Sequence, residues 1–123
     1  MSETIGTKPL VIENAFYTKG TIKATAATEI SKGQILYFDP SDSCYKPYAS
    51  GTHAIVGLAG RSFTMPSGGE SSESILTAGK VDEGQIVFPS GVTIDTLTDT
   101  KETVRMQLQR MGVFCYKTHD LTV

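Results

Sequence analysis

Between Ser74 and Tyr116 the sequence changes its period, and that change limits what the chain can fold into. The stretch runs through a strand-like segment (SILTAGKV), an acidic turn (DEG), an apolar run ending in proline (QIVFP), a helix-period segment and a closing strand-like run (VFCY). Only the fourth of these sustains apolar residues at spacings of three and four, the pattern of one amphipathic helix. The rest of the chain alternates, or gathers in short apolar runs between turn residues, as strands joined by hairpins do. The expected fold class is α+β and β-rich, a small compact domain of short strands and hairpins with one principal helix.

The helix can be read residue by residue. Asp99 fits the N-cap, and Glu102 falls three positions later, so the two complete a capping box. Leu97, Val104, Leu108 and Met111 then share one face with the aliphatic stem of Lys101, which predicts a core-facing stripe. Gly112 is the expected left-handed terminator, and Val113 is placed to touch Leu108. Met106 points away from that stripe, among Glu102, Arg105, Gln109 and Arg110. One exposed methionine is ordinary, but methionine and arginine are both enriched where proteins meet. Met106 and Arg110 therefore mark a candidate protein-contact face.

Upstream, residues 1–20 hold a single short apolar run, Pro9, Leu10, Val11 and Ile12, between Lys8 and Glu13. The expectation is a flexible N-terminal arm over residues 1–20 and one β-rich domain over 21–123. Such an arm is tied down either as a first strand of its own sheet or on another protein's open edge. TIKAT (21–25) alternates, and Gly33 precedes an apolar strand from Gln34 to Phe38. DPSDS (39–43) is a turn, because proline presets φ and the Asp and Ser side chains cap nearby amides. It connects a hairpin to the strand-like run from Cys44 to Tyr48. The same residues match D-x-S-x-S, with Asp39, Ser41 and Ser43 as would-be metal ligands, but that pattern requires a helix next and a proline-containing strand follows. AIVGLAG (54–60) suits a strand buried on both faces, with Gly57 at a bulge or close backbone approach. PSGGESSE (66–73) reads as a flexible loop.

Function classes narrow by what these residues lack. The net charge is −2, so there is no basic face to drive counterion release from DNA or RNA, and no nucleic-acid partner is expected. No apolar run approaches the ~20 residues of a membrane span, and MSETIGTKP lacks the apolar core of a signal peptide. Cytosolic synthesis without secretion, and no membrane partner, are the expectations. Cys44 and Cys115 have no metal-ligand spacing and read as small apolar residues. His53 reads as a solvated turn residue. No nucleophile, base or metal set emerges, so the expectation is no enzyme, no catalytic residue, no metal and no cofactor.

From Lys32 to Tyr116 the order of elements resembles the lambda-type head decoration proteins of tailed bacteriophages. The resemblance is carried by KGQILYF before a polar hairpin and a tyrosine-containing strand, and by AIVGLA before a polar loop. It continues through ILTAGKVDEGQIVFPSG and ends with the helix and RMGVFCY. Phe88 stands where such proteins often carry tryptophan before the proline. The resemblance implies a β-tulip-like fold and a homotrimer on the outer surface of the expanded head, made in the host bacterial cytoplasm. There it would fasten the major capsid protein lattice against internal DNA pressure. The N-terminal arm lies outside the resemblance; with Pro9, Leu10, Val11 and Ile12 as a capsid-binding arm, the expectation is that Leu10 to Ile12 add a strand to an edge of the capsid protein. An alternative with the same β-rich, oligomeric character is a structural or receptor-binding module of a phage tail or spike.

Overall fold

The computed structural model describes residues 10–49, 54–97 and 102–116. Eight strands and one helix follow one another: β1 (Val11–Lys23), β2 (Glu29–Ile30), β3 (Ile35–Asp39), β4 (Cys44–Pro47), β5 (Ile55–Ala59), β6 (Phe63–Thr64), β7 (Glu70–Asp82), α1 (Val104–Met111) and β8 (Val113–Tyr116). A 3-10 turn, Glu83–Gln85, follows β7. The main sheet runs β1-β4-β3-β5-β7-β8, and β1 also pairs with β7, so five strands close on themselves while β8 branches outward. The β-rich class with one helix is as expected, and the closed sheet gives it a barrel-like form.

Consecutive residues on three central strands belong to different cores. Ile35, Leu58 and Leu76 pack with Ile55, Val81, Val104, Leu108 and Val113 beneath the helix. Their neighbours Leu36, Ala59 and Ile75 pack with Ile22, Ile30 and Met65 in the second cluster, which draws on the barrel strands. Side chains alternate across a strand, so β3, β5 and β7 are apolar on both faces. That accounts for the unbroken hydrophobic run in β5. Gly57 lies opposite the register shift between Leu36 and Tyr37, and a Cβ there would come within 2.6 Å of the Ile75 side chain.

Four sequence expectations change. The boundary at residue 20 moves, because β1 begins at Val11 and pairs antiparallel with β7 from Val11↔Val81 to Lys23↔Glu70. Leu10 is buried in the helix-side core, and its carbonyl accepts the Asp82 amide at 2.8 Å. The short apolar run is thus the first strand of the home sheet; burying Leu10 and Val11 on the domain's own core outweighs leaving them free. Pro9 lies outside the described residues. The segment read as a loop over 66–73 divides at Glu70: Pro66 to Gly69 turn, and Glu70 to Glu73 already belong to the 13-residue strand β7. Serines and glutamate there pair with β1 through backbone bonds that composition does not reveal.

The helix also starts later than expected. Its N-cap is Thr103, whose hydroxyl accepts the Met106 amide; Asp99 lies outside the described residues. Two first-turn amides are taken by the preceding loop, Val104 donating to the Thr96 carbonyl and Arg105 to that of Ile94, so tertiary partners replace the second half of a capping box. Leu97 is 65% exposed and takes no part in the core stripe. It sits across an isolated bridge from Thr103. Val104 and Leu108 are buried and Met111 packs against them as expected, and Gly112 ends the helix at φ 109°.

Candidate functional site

The sequence singled out two places, and the structure puts them on different sides of the helix-side core. At the first, Leu10 is buried and Val11 half-buried, leaving Ile12 as the exposed one among the described residues of the run. At the second, Met106 is 50% exposed on α1, and Arg110 is exposed and pairs with Glu102. The buried face of the same helix carries Gln107, whose side-chain oxygen accepts the Ile55 amide at 2.8 Å and anchors the start of β5. Arg105 ties the helix to the turn below it, donating to Glu83 at 2.7 Å. Met106 and Leu97, both exposed, each lie next to the Thr103 cap, Met106 through its amide and Leu97 across the bridge.

A larger apolar surface emerges on the ribbon β1-β7-β8. Val11, Ala15, Val81, Val113 and Cys115 point into or against the helix-side core. Their strand neighbours point the other way: Ile12, Phe16, Phe114 and Tyr116 are 43, 66, 40 and 46% exposed. Lys80 is opposite Phe114 in the register, and its ammonium lies 5.7 Å from the Tyr116 ring centre, a cation-π distance. Sequence reading missed this surface because its aromatics come from strands nearly a hundred residues apart. Only the pairing of β7 with both β1 and β8 brings them together.

Charged groups gather at two further places, each internally satisfied. In the β3-β4 turn, Lys46 donates to Asp39 and to Asp42, both at 2.7 Å. Those hydrogen bonds hold both carboxyls below their ordinary range and the ammonium above its own. Asp39 also accepts the Ser41 amide, so the would-be metal ligands form a hairpin turn occupied by a lysine. At the rim of β7, Glu73 is only 3% exposed and receives a fork from Arg61 at 2.7 and 2.8 Å. Burial pushes its carboxyl up; the Arg61 fork, the Ser71 hydroxyl and the charges of Arg61 and Lys19 together outweigh that and hold it low.

Among the described residues no group of three His, Cys, Asp or Glu is placed to hold a metal ion, and no helix is long and apolar enough to cross a membrane. Cys44 and Cys115 are free thiols, and burial pushes that of Cys115 up to about 11, away from nucleophilic use. His53 lies outside the described residues. No family model matches the chain, and no curated protein matches it in sequence.

Proposed function

We propose that this chain is a structural protein of a tailed-phage head, binding the outside of the expanded capsid as a homotrimer and stabilising the major capsid protein lattice. The observation that carries this reading is the ordered run from Lys32 to Tyr116, which resembles head decoration proteins throughout. Within it β3, β5, β7, α1 and β8 all contribute side chains to one core. The fold would then be β-tulip-like. Apolar side chains exposed on a sheet face and beside the helix suit a protein that works by mating surfaces. The reading requires no catalysis, cofactor, nucleic acid or membrane, and it places the protein on the virion exterior after synthesis in the bacterial cytoplasm.

The contact expected of Pro9 to Ile12 narrows. With Leu10 buried and bonded to Asp82, a strand added to the capsid protein would begin before Leu10, leaving Ile12 as a side-chain contact. Three such contacts on one trimer would bind far more tightly than one, since later engagements become intramolecular. The test is direct: purified expanded heads are titrated with the protein and then heated. Saturable binding with a raised rupture temperature is expected. Binding to host cells or glycans with no uptake by heads would instead favour a tail or spike module.

A further inference from the structure

We infer that the groove between the Tyr17 to Lys19 stretch of β1 and the Gly60-Arg61 turn binds an acidic sugar, a single ring bearing one carboxylate such as a uronate. This goes beyond the capsid reading and does not depend on it. The groove measures about 510 Å³ and is lined by Tyr17, Lys19, Gly60, Arg61, Ser72 and Ser74, together with Glu73. That is the size of a small-ligand cleft. Beyond the shift between Phe16 and Tyr17 the β1-β7 ladder is regular, with Lys19 opposite Ser74 and Thr21 opposite Ser72. Alternation therefore sets Tyr17, Lys19, Ser72 and Ser74 on one face of the sheet.

Charge decides the sign of the ligand. Arg61 is fixed twice: Nε and Nη2 donate to Glu73 at 2.7 and 2.8 Å, and the guanidinium lies 5.0 Å from the Phe63 ring centre. Its Nη1 has no partner among the described residues. Lys19 has no ion pair or hydrogen bond among them either, and its charge acts on the same Glu73 carboxylate as that of Arg61. Two cations thus share one anion, which leaves a positive charge over in a chain whose net charge is −2. One carboxylate balances it; a phosphate, with nearly two charges, overshoots. A planar guanidinium edge and an ammonium are the donors that carboxylates take. The Ser72 and Ser74 hydroxyls are exposed and without partners among the described residues, and each can donate and accept, as sugar hydroxyls require. Tyr17, 49% exposed, offers an apolar ring to the C–H face of a sugar. The second groove, along Lys23, Lys46, Ser67 and Gly69, has no such surplus, since Asp39 and Asp42 neutralise both lysines.

The isotope-labelled full chain is titrated with glucuronate, glucose and acetate and followed by amide chemical shifts, each ligand to about 20 mM, well above the ~1 mM dissociation constant expected of a small site. Glucuronate should move the amides of Lys19, Ser72 and Ser74 saturably. Glucose and acetate should bind at least about tenfold more weakly, each lacking one half of the ligand. Lys19→Gln should weaken glucuronate at least about tenfold, the effect of losing one charge-assisted hydrogen bond, and leave glucose unchanged. Tyr17→Thr, which keeps a strand-forming residue, should weaken glucuronate and glucose but not acetate. Melting curves check the fold, and if Tyr17→Thr unfolds, Ser74→Val takes its place with the same pattern expected. No saturable shift with glucuronate, acetate or glucose binding as tightly as glucuronate, or an unaffected Lys19→Gln variant would overturn the site. Head uptake is scored apart: a chain that decorates heads without these shifts sinks the sugar site alone, whereas one that binds glucuronate and ignores heads keeps the site and sinks decoration.

Discussion

Glu73 shows how one buried charge is kept. Its carboxylate sits opposite Gly20 in the β1-β7 register and is neutralised by a guanidinium that is itself 62% exposed. Because the folded carboxyl is held below its ordinary value of 4.5, it contributes stability that is fully present above that value. The contribution is lost as pH falls through the lowered one. Arg61→Ala leaves the buried charge with fewer partners and should cost about 1–2 kcal/mol at neutral pH, discounted for the solvent around the guanidinium. Denaturation with urea at neutral pH and again at about pH 3 checks the sign. The gap between wild type and variant should narrow in acid, where Glu73 becomes protonated in the variant first. Equal gaps at both pH values would mean that the arginine acts only through its packing over Phe63, whose ring lies 5.0 Å from it.

Elements differ in how openly the sequence announces them. The β3-β4 hairpin and β5 were legible, since turn chemistry at 39–43 and an unbroken apolar run are local signals. So were the stripe Val104, Leu108 and Met111 and the stop at Gly112. The helix start was not: Asp99 and Glu102 offered a good local cap, but carbonyls of Ile94 and Thr96 satisfy the first turn, and loop closure has no sequence signature. Thr103→Ala should therefore destabilise the protein by about 1 kcal/mol, measured by urea titration, and Asp99→Ala by less. The sequence breaks β1 because bulges between Val11 and Tyr17 reset which side faces in, and it breaks β7 because the polar run Glu70 to Glu73 carries no apolar period though it pairs in register with β1. Gly79, at φ 137°, lies against the bulged part of β1, and a Cβ there would meet the Asn14 carbonyl at 2.9 Å and Ala15 Cα at 3.0 Å. Gly79→Ala is expected to cost about 2–3 kcal/mol, combining backbone strain with that clash. A thermal midpoint unchanged from wild type would show that the bulge relaxes freely.

The whole molecule is a closed sheet with a helix laid on one side, and its two candidate contact faces were invisible as faces until the chain was assembled. Met106 was legible as an exposed residue from helical spacing alone; the ribbon was not, since Phe16 and Phe114 meet through β7. The same assembly alters what a truncation means. Removing residues 1–8 leaves Leu10 and β1 intact and should leave the melting temperature within a few degrees of wild type. Removing residues 1–13 takes away a core leucine worth about 1.5–3 kcal/mol and the far end of the β1-β7 ladder, so a clear drop is expected. Loss of head binding in the shorter truncation alone would isolate a capsid contact before Leu10; equal melting of both would contradict the place of Leu10 in the core. The seam between β1 and β7 joins residues from 47 (Lys23↔Glu70) to 70 (Val11↔Val81) apart in the chain, and a closure this remote in sequence is slow, on the millisecond-to-second scale of barrel proteins. During synthesis the first strand must wait for the seventh to leave the ribosome. Through that interval Ile22 and Leu36 lack Ile75, the β7 residue that packs with them in their core, which makes the unfinished chain a natural client for chaperones.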